Sequence, residues 1–570
     1  MASFRALRIS QQLFLVGLLF VGLSILATWP IISDPVHASV IRPDDNDFRL
    51  NTYLIFWGAH ALQTSPLALH HTNMFHPERY TFAYADIMLA HSVLMMPVIA
   101  AFYEPILTYN LFLLASLTIG GMGFFLLARQ VTGHPSAAAF GAVIWAFNPV
   151  HFTRYQQIQL FGDHWLPWLA WALWVWLQPP SAEAAEEAEG ARGRAKSLRW
   201  PLMAALFFIL NALSGSHIAV FGALTSGAIV LYFVVYRGLW WDREFLVGLS
   251  VFAVITVIVL GPVFWPYVML EEALADKRAE TLDLPNASLV PLEFFSARSH
   301  FYLWLDGAAG WPAVLNPSGR ELRTYAFPGI VAILLAILGV ADSSARTHRW
   351  LWLACVAFFV FLAMGAYGGY LVVGNLPLVR LIRVPTRFMA PAVFALAVLA
   401  SCGAASLTVR LRGRRTRLAV FALIGLSFAA EASHAPLRTW EYDGAPLPIN
   451  EFLADQPGDF AVVQFPLGPD NYAMNVRQVF DSIYHWKKLL VGYSGYQSDE
   501  NIRLLGRIRD RFPDNETLDE LLDLDVRFVI VSPARVDTEL IDAIEAQPRL
   551  SLSWRYEELW WVYEVAPTPR

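Results

Sequence analysis

The chain has 570 residues, 56% of them hydrophobic and only 15% charged, with a formal net charge of −6. A soluble chain carries about 25% charged residues, so this composition points to lipid as the solvent for much of the chain and excludes a wholly soluble protein. No basic block interleaved with aromatics suggests nucleic acid. Two cysteines, Cys355 and Cys402, both in apolar runs, are too few for a disulfide or zinc framework.

In chain order, Arg5 and Arg8 precede the apolar run Leu13 to Ile32, which is long for a signal peptide and reads as an uncleaved anchor. Val36-His37-Ala38 loosely resembles a cleavage site and is the alternative. Apolar segments follow near 107–128, 136–149, 160–177, 201–213, 218–236, 245–268, 326–341, 350–366, 388–408 and 418–433. Together with the first they predict a polytopic α-helical membrane protein of about eleven transmembrane helices. One more stretch, 87–103, contains His91 and Pro97 and stops at Glu104-Pro105. If it lies in the interface, the arginines Arg192, Arg194, Arg199, Arg346, Arg349 and the cluster from Arg410 to Arg417 all face the cytoplasm; if it spans, they all face out. The positive-inside rule selects the first arrangement. It predicts a multi-pass protein of the cytoplasmic (inner) membrane with its N-terminus in the cytoplasm.

Residues 1–433 are therefore expected to form the transmembrane domain, with a first outer loop at 34–106. Residues 181–197, small and charged, read as a disordered cytoplasmic connector. From His434 charge returns and apolar runs shorten. AVVQFPL (461–467) and VRFVIVSP (526–533) read as buried strands, three helical stretches lie between 499 and 546, and LSWRYEELWWVYEV closes the chain as strands. Residues 434–570 are expected to be an extracytoplasmic α/β domain.

Chemistry concentrates in the outer segments. Asp44, Asp45 and Asp47 form a carboxylate cluster that can act as a general base toward a hydroxyl or hold a divalent cation; otherwise they are solvated loop acids. RLNTYLIFWGAHAL follows, an amphipathic stretch carrying Asn51 and His60, and then a polar, aromatic segment ending at Asp86. The histidines His70, His71, His76 and His91 match no metal spacing. Residues 150–165 contribute His151, Arg154, Gln157, Gln159, Asp163 and His164, expected on the same side as the acidic cluster. The outer loop 366–387 offers Arg380, Arg383 and Arg387 beside GAYGG, a clamp for a lipid phosphate or an anchor to anionic headgroups. His217, in an apolar region, reads as a packing residue, and the carboxylates Glu271, Glu272, Glu293 and Glu321 as solvated. Tyr493 and Tyr496 lie in a Gly-Tyr-Ser-Gly-Tyr motif suited to stacking on sugars or to a tight turn.

The run DFRLNTYLIFWGAHAL, the N-M-F-H-P and Y-A-D segments, FNPVHFTRYQQIQLFGDHWLPW, LIRVPTRF and HWKKLLVGYSGY, in that order, resemble bacterial GT-C-fold membrane glycosyltransferases across nearly the whole chain. The resemblance implies a transferase that takes sugar from a polyprenyl-phosphate donor on the outer face. It implies that an acid of the first outer loop is the catalytic base; Asp47, ahead of Arg49-Leu50-Asn51, best matches that position. Many relatives read Gly-Asp-Pro where this chain has Asp45-Asn46-Asp47-Phe48, so Asp45 and Asp44 stay as alternatives. Gln464 stands where relatives often have Glu and is assigned no chemistry.

The expected donor-phosphate ligands are thus Arg380, Arg383, Arg387 and Arg154. The expected substrate contacts are Asn51, His60, Asp86, Gln159, Tyr493 and Tyr496. No cofactor is required, although the acids are compatible with a divalent cation. The expected partners are a polyprenyl-phosphate sugar, a glycan, lipid or protein acceptor, and membrane lipid. A non-catalytic GT-C relative in envelope assembly is the alternative. A transporter or flippase ranks lower, because the spans carry few charges.

Overall fold

Each of the predicted apolar segments is helical in the computed structural model, which describes residues 7–42, 44–178, 198–270, 284–309, 325–341, 348–374, 376, 379, 382, 384–442 and 445–567. The connector 181–197 and the acids Glu271, Glu272 and Glu321 lie outside the described residues, and Glu293, expected to be solvated, is buried and accepts from the Val290 amide at 3.1 Å. Among the described residues five helices are long and apolar enough to cross a membrane: Ile9–Ala27, Pro105–Thr132, Ser216–Arg237, Arg243–Met269 and Pro385–Arg410. The chain is a multi-pass membrane protein. The other predicted segments form helices such as Pro135–Ala146, Arg199–Ala212, Ile330–Ala341 and Arg349–Ala363, of 12, 14, 12 and 15 residues. Leu89–Phe102, the ambiguous stretch, is a 14-residue helix with Pro97 inside it.

The chain divides into two units. One comprises residues 1–40, 109–265 and 278–439; the other comprises 41–108, 266–277 and 440–570.

In the first unit, helix Met389–Arg410 is buried along most of its length. Helix Ile330–Ala341 crosses it where Gly339 and Gly403 let the backbones meet, since a Cβ on Gly339 would lie 2.0 Å from the Leu399 carbonyl oxygen. Without water to drive association, such close backbone packing is what holds helices together in lipid. The start of helix Ile330–Ala341 is capped from a distance. The buried Glu431 carboxylate accepts from the Ile330 and Val331 amides, each at 3.0 Å, and from the Tyr302 hydroxyl at 3.1 Å. A carboxylate there meets both the orphan amides and the positive end of the helix dipole.

In the second unit, Asp45 starts helix Asn46–Thr64 by accepting from the Phe48 amide at 2.9 Å. This helix reads as amphipathic in sequence but is buried on nearly all sides, from Phe48 through Ala61. Leu89–Phe102 and Tyr472–Asp481 pack against it. The C-terminal residues build a five-stranded sheet from β1 (Ala461–Phe465), β2 (Lys488–Leu489), β3 (Val526–Val531), β4 (Leu550–Tyr556) and β5 (Trp560–Val565), in the order β2-β1-β3-β5-β4. β1 pairs parallel with β2 and β3, while β5 runs antiparallel to β3 and β4. Both β1 and β3 are almost wholly buried, the pattern of strands covered on both faces. The α/β character predicted for the tail is present in this sheet and its helices.

Candidate functional site

Two clusters of chemistry emerge, one in each unit. In the second unit the three aspartates separate by role. Asp44 is exposed and holds Arg42 in a two-point pair, with contacts of 2.9 and 3.1 Å. Asp45 is spent on the helix cap. Asp47 lies in the first turn, half-buried, where the helix dipole favours negative charge.

Tyr493 faces this turn. Its hydroxyl hydrogen-bonds to Asn46, and burial, followed by the charge of Asp47, pushes its phenol upward. The tyrosine therefore stays a neutral donor beside the acids. Asn51, four residues after Asp47, is buried on the same helix face. The structure thus brings Asp45, Asp47 and Tyr493 together, with Asn51 one turn further along the helix.

The remaining expected contacts of this unit lie elsewhere. His60 is thirteen residues beyond Asp47, about 20 Å along the helix. It stacks on Trp486 with ring centroids 4.3 Å apart, and burial lowers its imidazole. Tyr496 meets Tyr84 edge-on at 4.8 Å, and Asp86 follows the turn Thr81–Tyr84 half-buried. Among the described residues no group of three His, Cys, Asp or Glu side chains could hold a metal ion.

In the first unit, Asn148 caps a short helical turn by accepting from the Val150 amide at 3.0 Å and donates to the Pro328 carbonyl at 2.7 Å. This brings His151 and Arg154 inward. The His151 ring is buried with Asp163: Nε2 lies 2.9 Å from Oδ1, and Nδ1 lies 3.1 Å from the Ala146 carbonyl oxygen.

Arg154 sits in the same surroundings. Burial pushes its guanidinium down to about 10, Asp163 favours its charge and Arg387 opposes it. It is still a cation at neutral pH, and its Nη1 is buried without a hydrogen-bond partner among the described residues. Arg387 contacts His217 Nε2. A guanidinium only donates, so that ring nitrogen accepts and His217 is neutral.

The structure therefore brings Arg154 and Arg387 of the expected phosphate ligands within electrostatic reach of each other. Arg380 and Arg383 lie outside the described residues. Gln159 is buried in the loop between Arg154 and Asp163. His217 reads as packing in sequence yet is the partner of Arg387; 170 residues separate them and no local pattern links them.

No family model matches the chain, and no curated protein matches it. Solved structures do. The archaeal oligosaccharyltransferase AglB from Archaeoglobus fulgidus, in complex with an inhibitory peptide and a dolichol-phosphate, is 13% identical with a TM-score of 0.45, over 92% of this chain and 69% of that one. ArnT from Cupriavidus metallidurans in the apo state is 13% identical with a TM-score of 0.46, over 96% of this chain and 97% of that one. The same ArnT bound to undecaprenyl phosphate matches at 13% identity with a TM-score of 0.44, over the same shares.

Proposed function

We propose that this chain is a GT-C-type membrane glycosyltransferase that moves a sugar from a polyprenyl-phosphate donor to a glycan, lipid or protein acceptor on the outer face of the cytoplasmic membrane. The observation that carries the reading is the buried Arg154 guanidinium, charged, with Nη1 unpartnered among the described residues and a second guanidinium, Arg387, nearby. Two like charges brought together away from water are costly unless anions join them, and Asp163 is the single acid that acts on Arg154. A phosphate on a lipid tail fits, because guanidinium N–H pairs match phosphate oxygens and an apolar tail suits a membrane protein.

The chemistry assigns Asp47 as base. Its carboxylate takes the proton of the acceptor hydroxyl, and the oxygen forms a bond to the anomeric carbon. The bond from that carbon to the phosphate oxygen breaks, and polyprenyl phosphate leaves with the electron pair, inverting the sugar. The charge that grows on the departing phosphate needs a cation, the role for which Arg154 and Arg387 are the candidates. Tyr493 orients the acid or the acceptor hydroxyl as a neutral donor. Asp44, paired with Arg42, and Asp45, committed to the cap, are the weaker candidates. The reading includes the eleven-span arrangement, a transmembrane domain at 1–433, and residues 434–570 outside.

The test is a transfer assay in membranes supplied with radiolabelled polyprenyl-phosphate sugars. Asp47→Asn is expected to lower transfer at least about 100-fold while leaving donor binding unchanged. Arg154→Gln is expected to weaken donor binding at least about tenfold. Transfer retained by Asp47→Asn moves the base to Asp45 or Asp44. Full transfer by the triple variant, or donor binding indifferent to Arg154, sinks the reading.

A further inference from the structure

The α/β portion of the second unit contains a cavity of about 110 Å³ that the proposed transfer chemistry does not use. Its place follows from the sheet topology. β1 lies between β2 and β3, so the chain leaves β1 to one side and returns on the other. The two connections lie on opposite faces. Met474, Gln478 and Asp481 of helix Tyr472–Asp481 line the cavity on the face of Val462 and Gln464. On the other face Phe465 stacks on Phe512, which follows helix Asp499–Arg511, at 4.5 Å. This reversal between β1 and β3 is a topological switch point, and crevices at the carboxyl ends of strands there bind ligands. Gln464 near the end of β1 and Ser532 just past β3 are at those ends.

The lining has the chemistry of a site rather than of a packing fault. Asn450 is only 3% exposed, yet its Nδ2 has no hydrogen-bond partner among the described residues, and neither has the buried Gln478 Nε2. A buried amide donor left unmade costs about 1–3 kcal/mol, so two around one cavity call for an occupant that accepts hydrogen bonds. Charge narrows the class. Arg477 is paired with Asp481 at 3.6 Å, and the rim adds Arg535 and Glu558, so cations and anions balance. A neutral ligand with several groups that both donate and accept matches these amides and carboxylates, and Trp560 at the rim offers an aromatic face. The cavity volume is far above the roughly 10–15 Å³ needed to hold one water, so it has room for a small polar ligand.

We propose that this cavity is a binding site for a single neutral sugar unit, separate from the catalytic chemistry, with Gln464, Gln478 and Asn450 reading its hydroxyls. It does not depend on the transferase reading, because the ligand needs neither a lipid phosphate nor a reacting bond.

The full chain in lipid nanodiscs free of glycoside detergent, observed by saturation-transfer NMR, tests it with methyl glycosides of glucose, galactose, N-acetylglucosamine and arabinose. Glucuronate serves as the acidic comparator. At least one neutral glycoside is expected to bind, and Gln464→Leu with Gln478→Leu to weaken it at least tenfold, with glucuronate binding no better. Absence of binding by every neutral glycoside overturns the proposal, as does binding unchanged in the variant or a preference for the acid. Should the double variant not fold, Asn450→Leu decides. A dry packing void predicts a higher unfolding temperature with sugar binding unchanged, which also overturns the proposal; a site predicts loss of binding.

Discussion

His485 and Asp481 sit four residues apart in the α/β portion and pull the acid response of the fold in opposite directions. The His485 side chain is half-buried, accepts from the Lys487 amide through Nδ1 at 3.0 Å, and is pushed down to about 3, mainly by desolvation and then by the Lys487 charge. A group whose folded value lies below its unfolded value of about 6.5 contributes stability above that pH and loses it as the pH falls toward 3. Asp481 is the reverse. Burial raises it to about 6 against the pull of Arg477 and Arg49. Its contribution is complete below the unfolded value of about 3.9 and is lost as the pH rises through about 6. Thermal unfolding of wild type and Asp481→Asn between pH 4 and 7.5 separates the two. The wild type is expected to lose ground to the variant across that window, by at most about 3 kcal/mol for a two-unit shift. A difference that does not change with pH refutes the assignment. Residues such as these were only half legible. The acids at 44–47 stand out as a cluster, but the commitment of Asp45 to a cap and of Asp44 to Arg42 emerges only with the helix in place. Arg154 and Arg387 were grouped as expected phosphate ligands by their outer-loop placement and the family resemblance, since no local pattern in the sequence joins them.

Among elements, the apolar helices and the strands β1 and β3 were legible because their residues report one solvent continuously. Lipid-spanning runs and doubly covered strands are apolar over their length. Helix Tyr472–Asp481 and the two-residue β2 were not, since the helix buries Asn475 beside Met474 and Val476 and the strand is too short for any period. Helix Asn46–Thr64 misled, because Asn51 and Thr52 are inside it. Contacts between helices are the least legible. Gly339 and Gly403 sit where Ile330–Ala341 and Met389–Arg410 touch, and a Cβ on Gly403 would lie 1.9 Å from the Leu335 carbonyl oxygen. Backbone cannot yield as a side-chain tip does, so overpacking here costs about 1–3 kcal/mol or more. Gly403→Val is expected to lower the unfolding temperature and the yield of folded protein. Gly227→Val, in helix Ser216–Arg237 with nothing within 4 Å of the added Cβ, is expected to change neither. Equal behaviour of the two variants removes the close crossing from the account.

At the scale of the whole molecule, the grouping of 41–108 with 440–570 into one unit has no trace in composition, because chain distance of that order leaves no periodic or charge signal. Topology, by contrast, is written in charge. Arg410, Arg412, Arg414, Arg415 and Arg417 crowd the junction between helices Met389–Arg410 and Arg414–Ala432, and arginines near span ends stay on the cytoplasmic side. On the proposed topology the segment after Ala432 lies outside, and with it the sheet. The described thiols make this measurable, since Cys355 and Cys402 are both buried and neither competes for a label. Thr416 and Ser551 are exposed, one beside the arginine cluster and one on β4. With Ser551→Cys, a membrane-impermeant maleimide is expected to label intact cells stripped of their outer barrier. With Thr416→Cys it is expected to label only after the inner membrane is permeabilised. Labelling of Thr416→Cys in sealed cells, with Ser551→Cys protected, inverts the topology. It would also move the acids at 44–47 to the cytoplasm, where a sugar donor carried on the outer leaflet could not reach them.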